Sequence, residues 1–206
     1  MAAPAEVTLK DLTGQWVMVR PLFPALPNLS TQADILQNKT LSDDTDAVLA
    51  LQGIGWWTRK AISLATVTLH TKQYTEDNIT HIDIEQTATG GVKGTTELRA
   101  LNWVEHTHND HVFGNVKGKA RWSSFQEIDD DFLKEGWLEG EEEVAGPDGE
   151  KHVESLAVNE EKGWTARQIW GFAIVDGKRY YTRRVVVSKG SEVLKVRLVY
   201  NWQGKK

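Results

Sequence analysis

The densest group of hydrogen-bond donors in one predicted strand is Tyr180-Tyr181-Thr182-Arg183-Arg184. Successive side chains of a strand point to opposite faces, so each face receives one tyrosine and one arginine. The inward pair is either Tyr180 with Arg184 or Tyr181 with Arg183. Such a pair inside a cavity can hydrogen-bond a carbonyl or enolate oxygen, whereas an outward arginine would form a surface ion pair. The alternation does not decide which face points inward.

Gln168 is the second candidate for a catalytic group. Its own strand face carries Trp164, Trp170 and Phe172, so the amide lies in an apolar surround. A buried amide without a hydrogen bond costs about 1–3 kcal/mol, and the partner is either a ligand or a buried water. We expect a ligand, whose carbonyl Gln168 would polarise together with the inward arginine–tyrosine pair.

Metal and hydrolytic chemistry are less well supported. In the segment 106–111, His106 and His108 share a strand face and Asp110 and His111 follow in the predicted turn, which suggests either a zinc or iron site or a solvated strand end. The acidic runs 129–131 and 139–143 are typical of exposed turns and protected strand edges. The chain has no cysteine, no Gly-x-Ser-x-Gly elbow and no nucleotide-binding glycine pattern. We therefore predict no metal and no cofactor.

The elements that must position these groups are mostly strands. A strand centred on Trp16 is followed by Pro21, Pro24 and Pro27, which predict an irregular excursion over 21–43. Two short helices, 46–52 and 56–64, are separated by Gly53 and predict a helix-turn-helix lid. Nine further strands with period-two patterns and tight turns follow at 65–74, 79–88, 94–106, 111–122, 133–143, 151–159, 164–175, 179–188 and 192–202.

Ten antiparallel strands joined by hairpins predict a single all-β domain over 1–206, closed as an up-and-down barrel under the lid. In the last strand the apolar face points inward. The interior is therefore expected to bind hydrophobic small-molecule substrates. The expected substrate-binding residues are large apolar or aromatic side chains of the lid and the inner faces: Trp56, Trp57, Trp164, Trp170, Phe172, Leu198, Tyr200 and Trp202.

Composition limits the partners. The net charge is -5 and the basic residues are spread along the chain, which argues against nucleic acid. No apolar run is long enough for a membrane span. Three sequons, at Asn28, Asn38 and Asn78, favour a secretory-pathway protein over a cytoplasmic one. Nothing in the sequence indicates the oligomeric state.

The arrangement of a strand, a lid and nine strands resembles the intracellular fatty-acid-binding proteins of the calycin superfamily. Residues 53–60, Gly-Ile-Gly-Trp-Trp-Thr-Arg-Lys, are similar to the second lid helix of that family, and Gly14-Gln15-Trp16 is similar to its opening strand. The resemblance implies a ligand-binding calycin-like barrel. That family's carboxylate clamp is an Arg-x-Tyr pair, whereas here Arg197 and Tyr200 fall on opposite faces. A fatty-acid carrier is therefore the alternative function, not the first.

The long, tryptophan-rich, cysteine-free chain also resembles fungal hetero-Diels–Alderases of tropolone-sesquiterpenoid biosynthesis. This resemblance implies a cofactor-independent cyclase that joins a tropolone or quinone-methide-type polyketide to a humulene-type terpene. Such a reaction needs two partners held in one orientation and a hydrogen-bond donor on the electron-poor carbonyl. A non-catalytic carrier of fatty acids or other hydrophobic molecules would need the cavity alone.

Overall fold

The computed structural model describes residues 1–19 and 41–205. These residues form ten antiparallel strands in one sheet, in the order β4-β3-β2-β1-β10-β9-β8-β7-β6-β5. The strands are β1 Gly14–Met18, β2 Thr68–Glu76, β3 Ile79–Ala88, β4 Val92–Ala100, β5 His106–Asp110, β6 Gly114–Ser123, β7 His152–Asn159, β8 Trp164–Val175, β9 Lys178–Lys189 and β10 Glu192–Gly204. The predicted calycin-like barrel is confirmed.

Helices contribute little beyond the lid. The lid comprises α1, Asp46–Leu51, and α2, Trp56–Leu64; a one-turn helix, α3, spans Asp131–Lys134. Gly53 has a φ of 78° and ends α1, since this backbone conformation suits glycine. Arg59 joins the two lid helices by donating to Asp46 Oδ1 at 3.1 Å and to the carbonyl of Ile54 at 2.8 Å. Among the described residues, no helix is long and apolar enough to cross a membrane.

Two of the predicted strands are wrong, one in its existence and one in its bounds. The region 133–143 is not a strand: it contains the end of α3, irregular backbone and a 3-10 turn at Glu141–Glu143. Its apolar spacing arises because Leu133 and Trp137 pack on the outside of the barrel, against Ile169 and Val186. The predicted strand 94–106 is too long, because β4 ends at Ala100, and β5, which begins at His106, is an additional strand that was not predicted. The count of ten holds because β5 replaces the strand lost at 133–143.

The barrel is not fully closed. Neighbouring strands pair from β4 around to β5, but β4 and β5 do not pair with each other. The connection between them includes Trp103 with a φ of 59°, and its backbone N–H donates to Ala120 of β6. A gap therefore separates the free edges of β4 and β5.

The end of the barrel away from the lid is filled by side chains. Trp16 is fully buried, and its Nε1 donates to the Leu12 carbonyl at 3.0 Å. Residues 1–12 close this end, where Leu9 and Leu12 pack with Trp16. Aromatic rings complete the packing, so among the described residues the open space of the barrel lies towards the lid and the gap between β4 and β5.

Two of the three sequons, at Asn28 and Asn38, lie outside the described residues, as do residues 21–40 of the predicted excursion. Asn78 is described. It is exposed and occupies the turn between β2 and β3 with a φ of 62°.

Candidate functional site

A cavity of about 770 Å³ lies between the lid and the filled end of the barrel. Much of its apolar lining comes from three regions: the lid, β8 and the adjacent strands β9 and β10. Around the gap, the lining continues past the edge of β4 towards the outer side of the sheet, at Leu98 and Asp83. The apolar lining residues include Val48, Ala61, Ile62, Trp164, Ala166, Val185, Val187, Val196 and Leu198.

Tyr181 and Arg183 are the inward pair of β9. Arg183 Nε donates to Tyr181 Oη at 3.0 Å, and Nη1 lies 3.2 and 3.4 Å from the two carboxylate oxygens of Glu97. The guanidinium carbon sits 4.0 Å from the centre of the Trp170 ring. Burial raises the pKa of the Tyr181 phenol, although Arg183 opposes that shift, so Tyr181 stays neutral.

Tyr180 and Arg184 face outward, so the structure does not bring them into the predicted catalytic group. Tyr180 packs with Leu41 and Val199 outside the barrel. Arg184 donates to the Phe132 carbonyl at 3.1 Å and to Glu135 at 2.8 Å. The strand alternation explains this placement, because Tyr181 and Arg183 occupy the other face.

Glu97 of β4 is the carboxylate at the polar end of the cavity. It accepts a hydrogen bond from Gln86 Nε2 at 2.9 Å in addition to those from Arg183. Burial alone would raise its pKa, but the charges of Arg183 and Arg99 together lower the pKa below its usual value. Glu97 is therefore ionised, and it is shared by two guanidinium groups.

Arg99 is the second of these arginines. Its Nη2 lies 3.6 Å from Glu97, which is an ion-pair distance beyond that of a hydrogen bond. The side chain reaches across the gap to Gly118 of β6, where an added Cβ would lie 3.4 Å from Nη1. Burial lowers the pKa of Arg99, which Glu97 opposes, yet an arginine remains charged under such a shift.

Gln168 lines the cavity, and its amide is oriented by a neighbour. Trp170 Nε1 donates to Gln168 Oε1 at 3.1 Å. The carbonyl end of the amide is therefore occupied, and the Nε2 end is available as a donor. Within the described part of the chain, no hydrogen bond to this Nε2 is present.

The predicted substrate-binding residues divide into three groups. Trp164, Leu198 and Tyr200 line the cavity. Trp170 and Phe172 lie in the packed core beyond it, and Trp202 packs against Trp16 at 4.6 Å between ring centres. The remaining two are Trp56 and Trp57.

The structure places the two lid tryptophans away from the cavity. Trp56 is 50% exposed and Trp57 is 80% exposed, and their rings contact each other edge to face at 4.4 Å. The helix period instead turns Thr58, Ala61 and Ile62 towards the interior. The prediction that both tryptophans contact ligand is not met in this conformation of the lid.

The histidine segment contributes to the cavity wall. His106 and His108 lie on the inner face of β5 beside the gap. Asp110 Oδ1 accepts from the backbone N–H groups of Val112 and Phe113 at 2.8 and 2.9 Å, which is turn chemistry. Among the described residues, no group of three or more His, Asp or Glu side chains is arranged to hold a metal ion.

The acidic runs are not all exposed turns. Glu143 is 3% exposed and accepts from Arg179 Nε at 2.9 Å and from Nη2 at 2.8 Å. Asp130 caps α3 by accepting from the backbone N–H of Phe132 at 2.9 Å. These carboxylates support the fold outside the cavity.

Sequence reasoning missed Glu97 and Arg99. Opposite charges two residues apart on one strand face were the available signal, because such residues must share a surface. That signal was obscured by polar groups on both faces of β4.

Structural comparison defines the class of barrel. The lipid binding protein 8 of Caenorhabditis elegans, in its apo form, aligns with a TM-score of 0.52 at 13% sequence identity, over 98% of this chain and 99% of that one. At this identity the match shows the fold alone. No protein-family model matches the sequence.

Sequence comparison defines the family. The "Probable pericyclase scpY" of Mollisia scopiformis is 32% identical over 207 residues, covering 98% of this chain and 95% of its own. The "Pericyclase pydY" of an Acremonium species is 31% identical over 208 residues, covering 99% and 98%. The chain belongs to this pericyclase family, and the prediction of a cyclase of this type is confirmed.

Proposed function

We propose that the protein catalyses an intermolecular hetero-Diels–Alder cycloaddition inside the barrel. The observation that carries this proposal is a single cavity with apolar walls at one end and hydrogen-bond donors at the other. Membership of the pericyclase family supports the reaction class. The two ends suit two unlike partners, one hydrocarbon and one oxygen-rich.

The apolar end would hold the hydrocarbon partner. Trp164 and the valines of β9 and β10 line it, and the lid covers it. Burial of a hydrocarbon there is favourable by about 25 cal/mol for each Å² removed from water. A humulene-type terpene is our proposed occupant.

The polar end would hold the electron-poor partner, for which we propose a tropolone or quinone-methide-type polyketide. In the cycloaddition the conjugated C=C–C=O unit adds to an alkene, so one C–C and one C–O bond form and no group leaves. A hydrogen bond to the carbonyl oxygen withdraws electrons from the heterodiene and strengthens as charge develops there. We propose that Gln168 Nε2, the free end of an amide whose Oε1 is held by Trp170, donates this hydrogen bond.

This reaction needs neither a nucleophile nor a metal. Holding both partners at near-attack distance removes much of the entropic barrier of a bimolecular step. We accordingly propose a cofactor-independent enzyme. The non-catalytic carrier would use the same cavity but would gain nothing from a donor aimed at a reacting carbonyl.

The test is product formation from tropolone-derived quinone-methide and humulene-type substrates, with Gln168→Leu beside the wild type. We expect faster, stereoselective adduct formation by the wild type and a fall in kcat of roughly 10- to 100-fold in the variant, with substrate affinity largely kept. Gln203→Leu, at an exposed position, is the matched control. Saturable binding without any adduct would support the carrier instead.

We also propose a secretory-pathway origin with glycosylation. The exposed turn that holds Asn78 supports this, because a glycan needs an accessible acceptor. A mass shift on enzymatic deglycosylation of the native protein, smaller by one glycan in Asn78→Gln, would test it at this position.

A further inference from the structure

The two arginines at the polar end of the cavity differ in how accessible their unbonded N–H donors are. Arg183 is 3% exposed, its Nε and Nη1 are hydrogen-bonded, and its face covers the Trp170 ring. Its Nη2 has no hydrogen-bond partner among the described residues, but this atom is buried. The Arg99 side chain is 16% exposed and lines the cavity. In the described part of the chain, the Arg99 guanidinium donates no hydrogen bond of ordinary length.

The charges at this end do not balance. Glu97 is the carboxylate shared by Arg183 and Arg99, so one positive charge is left over. Asp110 also lines the cavity, but its Oδ1 accepts from the backbone N–H groups of its own turn. The other charged lining residues lie away from this point: Asp83 is on the outer side of the sheet, and Lys93 is exposed. A desolvated excess charge strongly favours an opposite charge on a ligand.

The position of Arg99 is defined from two sides. Glu97 holds the guanidinium from its own strand, and Gly118 lies beneath it across the gap. Any larger side chain at residue 118 would occupy this space. His106 pairs with Gly118 in the β5–β6 ladder, so the imidazole lines the same part of the cavity.

We propose that Arg99 is the substrate-binding cation of the cavity and that it takes an anionic or strongly polarised oxygen of the polar partner. Glu97 is its positioning residue. This inference rests on the proposed function and narrows it, because the polar substrate must then present an oxyanion or an equivalent oxygen at the β4 edge. Arg183 serves as the buried support that keeps Glu97 in place.

The experiment uses two probes of the same shape, 2-naphthoate and 2-naphthamide, titrated calorimetrically into the full-length protein. We expect Arg99→Gln to weaken binding of the anion by roughly 10- to 100-fold, and binding of the neutral amide by no more than about twofold, since a charge-assisted hydrogen bond is lost. Arg184→Gln, which removes a guanidinium from the outer wall, should change neither. Equal losses for both probes, or no loss for the anion, would overturn the assignment.

A second variant tests the same position without changing the arginine. Gly118→Val places a branched side chain against Nη1, and we expect it to reproduce the selective loss of naphthoate binding. A third variant, Arg99→Lys, should bind naphthoate more tightly than Arg99→Gln and less tightly than the wild type, because a lysine keeps the charge but not the planar fork. Anion binding that depends on Arg99 without any adduct formation would keep this inference and refute the cycloaddition.

Discussion

Two clusters of arginine and carboxylate lie on opposite faces of the same sheet, and they are built differently. On the outer face, Glu154 of β7 is 1% exposed and accepts from Arg121 Nε at 2.8 Å and from Arg167 Nε at 2.7 Å. On the inner face, Glu97 is contacted by Arg183 and, more distantly, by Arg99. Both clusters therefore contain two guanidinium groups around one carboxylate.

The difference lies in the remaining N–H groups. In the outer cluster the carboxylate and carbonyl of Glu127 and the carboxylate of Asp129 take further contacts from Arg121 and Arg167. In the inner cluster Arg99 keeps its free donors, and they face the cavity. A buried polar network that is fully satisfied rigidifies a fold, whereas one left incomplete costs stability. The incomplete network is therefore the one that we assign to binding.

The largest effect should come from the outer cluster. We expect Glu154→Gln to lower the free energy of unfolding by about 3–5 kcal/mol, because two guanidinium groups lose the carboxylate that compensates them. Turnover per folded molecule should be unchanged. Urea unfolding checks the first expectation, and Glu127→Gln, at a carboxylate 68% exposed, is the control that should cost under about 1 kcal/mol. A stable but inactive Glu154→Gln would remove the distinction between the two clusters.

In the inner cluster, a substitution should reduce turnover strongly and stability less. In Arg183→Met, Glu97 keeps the hydrogen bond from Gln86 but loses those from Arg183. It is then free to form a complete ion pair with Arg99, which draws N–H donors away from the cavity. We expect a stability loss of about 1–3 kcal/mol and a fall in kcat/KM of roughly 100-fold. Paired unfolding and initial-rate measurements test both. A variant that lost stability as Glu154→Gln does and kept its turnover would make Arg183 purely structural.

The inner face was the more predictable of the two from sequence. Period-two alternation correctly placed Leu198 and Tyr200 inside and reduced β9 to two alternatives, because side-chain direction in a strand is a local property. Arg99 was not predictable in the same way. Its role depends on the gap and on Gly118 of another strand, and both are properties of the folded barrel.

The outer layer was predictable only in part. The spacing of Leu133 and Trp137 suggested a strand, but these side chains anchor a loop and a single helical turn to the barrel wall. Periodicity reports that apolar groups are buried without saying whether the backbone forms a ladder. The lid helices were found because Gly53 and the residues around it carry a local stop signal.

The outer layer also contains the group that should give stability its pH dependence. His152 is 1% exposed and lies between Phe125 and Trp137, 4.3 and 5.3 Å from their ring centres. Burial lowers its pKa below 6.5, even though Glu139 opposes the shift. The unfolded chain therefore binds a proton more readily than the folded protein.

It follows that stability decreases as the pH falls from 7 through 6.5, until the lower pKa of the folded state is passed. One proton gives a slope of at most about 1.4 kcal/mol per pH unit. Urea unfolding between pH 5 and 7.5, on the wild type and on His152→Gln, measures it. A slope that survives the substitution would assign the dependence to other groups.

The smallest effect is expected at the lid. Trp57 is 80% exposed and its neighbours on α2 line the cavity in its place, so Trp57→Ser should change the free energy of unfolding by less than about 0.5 kcal/mol. Turnover should also stay within about twofold, while Ile62→Ser, which alters the cavity lining itself, should weaken binding of the hydrocarbon partner by roughly tenfold. Steady-state kinetics on both variants measures the changes in turnover and in KM. A large loss in Trp57→Ser with normal stability would show that the lid rearranges over bound substrate, and the aromatic pair would then belong with the inner face.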